Sequence, residues 1–204
     1  MKTKTLEVSD KLKKRKEIAM ELKGKLVKLR AVEEGDCEML RALANDPEYE
    51  KMIVGWAFPI SSKDQKEWFE SCKNGLDRLR FTIETEQDGA VGMIGLRDID
   101  WKNGVASGLG MRIFRKDIRT RGLATDAWMT LMRYAFDELR LNRINGTALS
   151  YNAASLRVCQ KVGFIVEGTQ RQAVYKNGQY HDLVMLGCLK SDYDQLIIQN
   201  HYWD

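Results

Sequence analysis

The chain has 204 residues, of which 44% are hydrophobic and 30% charged, and its formal net charge is +4 at neutral pH. This length suits one domain with a full core, and the charge is smaller than that of a dedicated nucleic-acid-binding domain. The four cysteines are widely spaced, the N-terminal segment is charged, and no apolar run approaches the roughly 20 residues of a membrane span. We therefore expect a cytoplasmic protein without a disulfide framework, metal site or membrane anchor.

Residues 1–23 are rich in lysine and predict one short helix, whose most basic part is the segment KLKKRK. We interpret these residues as an extension of the domain that follows them. A solvated or disordered segment without a role of its own is one interpretation of the extension. The others are dimerisation and nucleic-acid binding through the charge cluster, although the modest net charge leads us to expect no nucleic-acid partner.

The domain opens at residue 24 with a short strand, GKLVKLRAV, and two helices follow. The first helix, EEGDCEMLRALAND, has apolar residues at helical spacing and ends before Pro47. The second, SSKDQKEWFESCKN, is capped by Ser61 or Ser62. The segment between them, EYEKMIVGWAF, has no regular pattern and lies between the two prolines of the chain, Pro47 and Pro59.

Three strand-like runs come next, RFTIETE, AVGMIGLRDID and VASGLGMRI, joined by turns with Asp-Gly and Asn-Gly pairs that favour tight hairpins. They predict an antiparallel meander. A long helix follows, because apolar residues recur at intervals of three and four from Ala124 to Leu139. The remaining elements are the strand RINGTALS, the helix NAASLRVCQKV and the strands GFIVEGTQRQAVY and DLVMLGCL.

A meander followed by a crossover predicts an α/β (α+β) domain with a mixed central sheet of about seven strands and helices on both faces. The proposed divisions are an N-terminal basic extension over residues 1–23, the domain itself over residues 24–190, and a C-terminal tail over residues 191–204.

The start of the long helix, in the segment IRTRGLATDA, combines Arg119 and Arg121 with Gly122. A helix N-terminus presents unpaired N–H groups and the positive end of the helix dipole, and phosphate binds there. Gly122 leaves room for a close approach. The same short pattern is also compatible with an ordinary basic loop before a capped helix.

Three motifs in this order resemble the GNAT superfamily of N-acetyltransferases. Arg119-x-x-Gly122-x-Ala124, between a strand and a long amphipathic helix, resembles its acetyl-CoA loop. NAASLRVCQKVGF resembles a second segment of the superfamily. The stretch EGTQRQAVYKNGQYHDLVML resembles the ending of the subgroup that acetylates ribosomal-protein N-termini and polyamines. The resemblance covers roughly residues 24–190.

The resemblance implies acetyl-CoA as co-substrate, held in a splay between the fourth and fifth predicted strands. Main-chain N–H groups of the helix start would hold the diphosphate, and the end of the fourth strand would pair with the pantetheine amides. Asn152 would bind the co-substrate or hold the neighbouring loop, and it is also a good helix N-cap. The implied binding residues are Ile113, Phe114, Arg119, Thr120, Arg121, Gly122, Leu123, Ala124, Asn152 and Ser155.

Acetylation of an amine requires removal of a proton, because an alkyl ammonium has a pKa of about 10.4. Many relatives supply a Glu on the fourth strand and a Tyr seven residues after the motif Asn, but this chain has Gly108 and Cys159 there. Three explanations stay open: a base elsewhere, proton transfer through water, or binding of acetyl-CoA without catalysis. The candidates for a base elsewhere are Asp98, Asp100, Glu84 and His181.

The acceptor would enter opposite the co-substrate, past a wall formed by the early helices and their loop, where Trp56 and Phe58 are candidate contacts. The resulting hypothesis is an N-acetyltransferase that acts on a small amine or a protein N-terminus by direct attack in a ternary complex. The alternative is a non-catalytic, CoA-binding regulatory domain. Relatives are often dimers, so a homodimer is a further expectation.

Overall fold

The computed structural model of the protein describes residues 20–55, 58–114 and 116–204. Its eight strands are β1 (Leu22–Lys23), β2 (Lys28–Arg30), β3 (Arg78–Thr85), β4 (Gly89–Asp100), β5 (Val105–Ile113), β6 (Arg143–Leu149), β7 (Ile165–Lys176) and β8 (Gln179–Leu189). Its helices are α1 (Cys37–Ala44), α2 (Pro47–Glu50), α3 (Ser62–Ser71), α4 (Leu123–Arg133), α5 (Ala153–Lys161) and α6 (Lys190–Asn200). Residues 1–19, with the basic KLKKRK segment, lie outside this part, as does Trp56.

The strands form one sheet in the order β1-β2-β3-β4-β5-β6-β8-β7. Strands β5 and β6 pair in parallel, whereas the other neighbouring pairs are antiparallel. The predicted α/β class, the antiparallel meander and the seven predicted strands are therefore confirmed. The two-residue strand β1 is additional, and it is too short for an alternating sequence pattern to predict it.

The predicted splay lies between β5 and β6. These strands pair only from Val105, opposite Arg143, to Ser107, opposite Asn145, and then separate. Just beyond that point β5 also bulges against β4, because Gly108 and Gly110 oppose consecutive residues of β4 and leave Leu109 unpaired. The separation of the strands leaves the edge of β5 from Gly108 to Ile113 facing a cleft.

The predicted long helix is present, but its geometry changes part-way. Helix α4 is α-helical to Arg133, and the chain continues as a π-helical turn over Tyr134–Glu138. The predicted apolar face is the centre of the core: Ala127, Trp128, Leu131, Met132 and Ala135 are all buried. This face packs beneath the sheet, while α1 and α3 cover the opposite face and enclose the cavity described below.

The last 14 residues, expected as a C-terminal tail, form most of helix α6 and close the core at one end. Tyr193 is completely buried, packs its ring 5.4 Å from that of Phe136 and accepts a hydrogen bond of 2.7 Å from the Trp203 indole. Within the described ranges, no helix is both long and apolar enough to cross a bilayer.

Candidate active site

The start of helix α4 has the geometry that the sequence predicts for an anion site. Gly122 is the N-cap residue in the left-handed region, with φ of 85°, and the first helical hydrogen bond runs from the Asp126 N–H to its carbonyl over 3.0 Å. The backbone N–H groups of the three residues between Gly122 and Asp126 therefore have no acceptor within the helix. A side chain at position 122 would be strained and would meet Leu26 at 3.4 Å.

A buried carboxylate, which sequence reasoning missed, fixes this helix start to the turn between β1 and β2. Asp126 is 1% exposed and accepts hydrogen bonds from the backbone N–H groups of Lys25 (3.0 Å), Leu26 (2.6 Å) and Val27 (2.9 Å). The Tyr202 hydroxyl donates to it as well, over 2.8 Å. Burial and the adjacent carboxylate raise the pKa of Tyr202. The four donors compensate the cost of burying the charge.

The two predicted arginines of the loop take different directions. Arg119 lies at the loop and donates to the Ile113 carbonyl over 3.4 Å, so it ties the loop to the end of β5. Arg121 instead points to the hairpin between β3 and β4, where it donates to Asp88 (2.9 Å) and Gln87 (2.8 Å). The structure thus brings Arg119 to the predicted site but engages Arg121 elsewhere.

The edge of β5 and the start of α4 both present backbone groups to the cleft. An unpaired strand edge presents N–H and C=O groups that suit the amides of an extended pantetheine chain. At the end of that edge, the Phe114 N–H is already used, because it donates to the Val91 carbonyl over 2.9 Å. The Ile113 carbonyl is shared with Arg119. Gly122 then lies where a diphosphate needs a close approach of the backbone.

Position 108, where the resemblance implies a glutamate, faces the core. A Cβ atom added to Gly108 would lie only 2.8 Å from the Trp128 ring of helix α4. Trp128 is itself held edge-to-face against Phe164, with ring centroids 5.5 Å apart. The Trp128 ring, which Phe164 holds in place, therefore fills the space between position 108 and helix α4, and a glutamate does not fit there.

The position of the usual tyrosine holds an unsuitable acid. Cys159 on helix α5 is 8% exposed, and burial raises the pKa of its thiol to about 11, opposed by a contact with Ser155. A general acid works best with a pKa near the operating pH. Cys159 is therefore a poor proton donor at neutral pH and packs as an apolar core residue.

The two predicted catalytic aspartates lie at the hairpin end of β4. Asp98 forms an ion pair of 2.5 Å with Arg97. Asp100 accepts from the Asn103 side chain (2.6 Å) and backbone (3.0 Å), and these bonds lower its pKa. Asp100 pairs with Val105, which lies three positions, or about 10 Å at 3.3 Å per residue, from the start of the bulge at Gly108. Asp98 lies two positions along β4 from Leu96, which opposes Gly108. Neither Asp98 nor Asp100 is among the residues that line the cavity.

The other two candidate bases are also engaged. Burial disfavours ionisation of Glu84, but the ion pairs with Arg30 and Lys28 lower its pKa overall. His181 packs its ring against Tyr151, with centroids 4.6 Å apart, and its Nε2 lies 3.2 Å from a carbonyl oxygen of β7. Neither arrangement provides a free base at the bulge.

A cavity of about 230 Å³ lies between helices α1 and α3 and strands β3, β4 and β5. Its lining includes Leu109, the bulged residue of β5, so the cavity adjoins the splay where a thioester would be presented. Its other notable residues, none of which the sequence reasoning identified as functional, are Gln65, Arg80 and Arg112. Of the predicted substrate residues, Trp56 lies outside the described residues, and Phe58 is 66% exposed, whereas nearby Ile60 lines the cavity.

The segment from Lys51 to Gly55, which follows helix α2, is held by side chains of the β6–α5 loop and of strand β7. The Tyr151 hydroxyl donates to the Lys51 carbonyl (2.6 Å), and the Asn152 side chain donates to the Met52 carbonyl (3.0 Å). The buried Lys176 ammonium donates to the Gly55 carbonyl over 2.8 Å. In addition Asn152 caps helix α5 by accepting from the Ser155 N–H over 3.1 Å. Asn152 therefore both caps its helix and holds this segment.

Comparison with known proteins decides the family. The acetyltransferase (GNAT) domain family matches residues 27–165. The chain belongs to this family. It is 30% identical over 171 residues to the SPbeta prophage-derived uncharacterized N-acetyltransferase YokL of Bacillus subtilis, covering 84% of this chain and 94% of that protein. The spermidine N(1)-acetyltransferase of Vibrio cholerae is 25% identical over 168 residues, covering 81% of this chain and 94% of that protein.

The fold of this GNAT domain also matches solved structures. The spermidine N-acetyltransferase from Vibrio cholerae in complex with CoA and spermine superposes with a TM-score of 0.74 at 23% identity, covering 82% of this chain and 98% of that one. The predicted family, fold and enzyme class are confirmed: the protein is an N-acetyltransferase whose co-substrate is acetyl-CoA. None of these comparisons favours the non-catalytic alternative.

Proposed function

We propose that this GNAT enzyme acetylates a primary amine, either a small molecule or a peptide N-terminus, by direct attack in a ternary complex. The observation that carries the proposal is the position of the cavity, which meets the splay at the Leu109 bulge. An amine in the cavity and a thioester on the edge of β5 would then be neighbours, and proximity of this kind is a large part of the catalytic advantage of such an enzyme.

On the donor side, we assign CoA to the edge of β5 and the start of α4. Backbone groups near Ile113 and Phe114 would accompany the pantetheine chain, and the N–H groups from Thr120 to Ala124 would hold the diphosphate. The left-handed conformations of Thr120 and Gly122, with φ of 76° and 85°, support this assignment, because they turn the loop backbone ahead of the helix. Bound acetyl-CoA supplies the thioester whose acetyl group is transferred.

The reaction needs removal of a proton from the amine, polarisation of the thioester carbonyl and a proton for the leaving thiolate. The amine nitrogen, once neutral, forms the new C–N bond as the C–S bond breaks, and the sulfur keeps the electron pair of that bond. One proton leaves the nitrogen, and one proton is finally taken up by the thiolate. A backbone N–H of β5 in the splay would polarise the carbonyl oxygen during this exchange.

For the proton we propose water rather than a side chain. Gly108 has no room for a carboxylate, and Cys159 holds its proton too tightly, with a pKa of about 11. At the β4–β5 hairpin, Asp98 forms an ion pair with Arg97, and Asp100 accepts a hydrogen bond from Asn103. A water chain through the cavity mouth would pass the proton to solvent, so the free-base fraction of the amine would set the rate.

A homodimer and a cytoplasmic location are parts of the same proposal. The edge strand β7 leaves Ile165 and Val166 about half exposed, at 56% and 48%, and a long exposed edge strand is a natural pairing surface. All four cysteines are free thiols, as in proteins of reducing compartments. Analytical ultracentrifugation of the protein and of an Ile165→Lys variant would test the dimer.

The direct test of the proposed function is release of the CoA thiol from acetyl-CoA in the presence of single amines. The panel should contain polyamines, amino sugars, amino acids and short peptides. We expect turnover with at least one class, and mass spectrometry should show one added acetyl group on the amine. No turnover with any class, in a protein that binds acetyl-CoA, would contradict the proposed function.

A further inference from the structure

Two arginines face the cavity from one side of the sheet. Arg112 of β5 lies opposite Met93 of β4, and Arg80 of β3 lies opposite Gly95, two residues further along β4. Because side chains alternate between the faces of a strand, Arg80, Met93 and Arg112 project to the same face. All three line the cavity.

Both guanidinium groups rest on aromatic rings. Arg112 lies 5.4 Å from the ring centroid of Tyr49, and Arg80 lies 5.5 Å from that of Trp68. In the part of the chain that the structure describes, neither forms an ion pair with a carboxylate, and Arg80 has only a contact of 3.4 Å to the Cys72 sulfur. The rings hold the arginines in place and leave their donors for an anion.

A third donor in the cavity has no proper partner. Gln65 on helix α3 is 5% exposed, and apart from the weakly accepting Cys37 thiol beside it, its amide nitrogen makes no hydrogen bond among the described residues. Buried polar groups are nearly always hydrogen-bonded in folded proteins. Gln65 also lines the cavity, so its unsatisfied donor is a candidate partner for an acceptor atom of a ligand.

The carboxylate that lines the same cavity already has hydrogen-bond partners. Asp64 is the carboxylate in the lining, and one of its oxygens accepts from the Ser61 backbone (3.0 Å) and hydroxyl (2.7 Å) in a capping box. A polyamine would thus meet two guanidinium groups and one carboxylate that is engaged at a helix end. The charge balance of the cavity favours an anion.

We propose that Gln65, Arg80 and Arg112 form a subsite for a carboxylate, so that the acceptor is a small amine that also carries a carboxylate, of the amino-acid class. The inference rests on the proposed function and specifies its acceptor. Arginine is the side chain best suited to a planar carboxylate, because its donors match the two oxygens. The cavity of about 230 Å³ is smaller than typical drug-sized pockets, which suits a compact acceptor.

The test compares acceptors that differ only in the carboxylate. The standard L-amino acids are screened first, and the best of them is then compared with its amide, its decarboxylated amine and spermidine by steady-state kinetics. We expect kcat/KM for the amino acid to exceed that for the amide and for the amine by about tenfold or more, from one lost charged hydrogen-bond pair. Equal or higher kcat/KM for the amide, the amine or spermidine would overturn the inference, while turnover of any amine would still support the proposed function.

Variants assign the effect to the subsite. Arg80→Met should raise KM for the amino acid by about tenfold and leave the weaker turnover of its amide within about threefold, whereas Arg80→Lys should restore part of the preference. Arg41→Gln removes the same charge from helix α1 outside the cavity and is the matched control. If Arg80→Met lowers kcat/KM for amide and amino acid equally, the residue has no role in carboxylate recognition and the inference fails.

Gln65→Leu separates recognition from folding. Because the amide nitrogen is unsatisfied, its replacement by an apolar side chain of similar size should leave the thermal midpoint unchanged or raised. The same variant should lose several-fold in the preference for the carboxylate. A lowered thermal midpoint with an unchanged preference would mean that Gln65 is only structural and would overturn its place in the subsite.

Discussion

The ring of Trp128 occupies the space that a side chain on Gly108 would need, since an added Cβ atom there would lie 2.8 Å from the ring. This relationship accounts for the departure of the chain from the usual pattern of its family. Helix α4 supplies the ring, strand β5 supplies the glycine, and Phe164 holds the ring edge-to-face. A side chain at position 108 and the ring of Trp128 therefore compete for the same space, which supports the proposal that water removes the proton.

The first prediction concerns Gly108. Glu should destabilise the protein by about 1–3 kcal/mol, as expected when atoms are forced into a packed core. It should not raise kcat, because the carboxylate cannot take the position it has in relatives. Chemical denaturation and steady-state kinetics of Gly108→Glu check both parts. An increase in kcat without loss of stability would show that Trp128 yields and that the site accepts a base.

The second prediction concerns pH. If water carries the proton, only the neutral amine reacts, so kcat/KM should rise with pH and level off at the pKa of the acceptor. That value is about 7.7–8.0 for the α-amino group of a peptide and about 10.4 for an alkyl amine. Cys159, with a pKa of about 11, should add no inflection below pH 10. The measurement is a pH profile with one acceptor of each kind, and one shared inflection would point to a base on the enzyme instead.

The third prediction concerns the aspartates of the β4 hairpin. Asp98→Asn and Asp100→Asn should each leave kcat within about threefold, because neither carboxylate lines the cavity and both are engaged at the hairpin, Asp98 with Arg97 and Asp100 with Asn103. Asp100→Asn should lower the thermal midpoint slightly, since it weakens the bonds to Asn103. A loss of two or more orders of magnitude in kcat with acetyl-CoA binding intact would restore either residue as a candidate base.

The fourth prediction concerns Asp126. Asp126→Asn replaces an acceptor of three backbone N–H groups and one hydroxyl by an amide that can accept at one atom only. We expect a loss of about 2–4 kcal/mol in the free energy of unfolding, because buried donors lose a charged partner. Tyr202→Phe removes only one of the four donors and should cost less. Equal stability of Asp126→Asn and wild type would contradict this account of the helix start.

Local patterns predicted the helix start and the order of the elements along the chain well, whereas long-range contacts did not follow from them. Gly122 and the apolar spacing of α4 are visible in a short window of sequence. The pairing of Arg121 with Asp88 crosses 33 positions, so the sequence offered no reason to direct this arginine away from the loop. Tyr193 is buried through its contact with Phe136. The apolar periodicity of helix α6 is too weak to predict this helix from the sequence.

The acceptor side was hardest to predict for the same reason. Arg80 and Arg112 occupy polar positions of a meander whose one face is ordinarily taken to be solvated. Only the packing of α3 over that face turns them into a cavity lining. Trp56 and Phe58 were predicted from the resemblance, which places the early helices and their loop beside the acceptor, and the structure describes only Phe58, which is largely exposed.

The most direct test of the account is the affinity of CoA for a Gly122→Val variant, measured by calorimetry. Gly178→Val is the matched control, because Gly178 has nearly the same φ, 83° against 85°, but lies in the β7–β8 hairpin with no atom within 4 Å of an added Cβ. If backbone groups at the start of α4 hold the diphosphate, Gly122→Val should weaken CoA binding by about tenfold or more, roughly 1.4 kcal/mol. Gly178→Val should bind as wild type does. Unchanged affinity in a folded Gly122→Val protein would contradict the central claim.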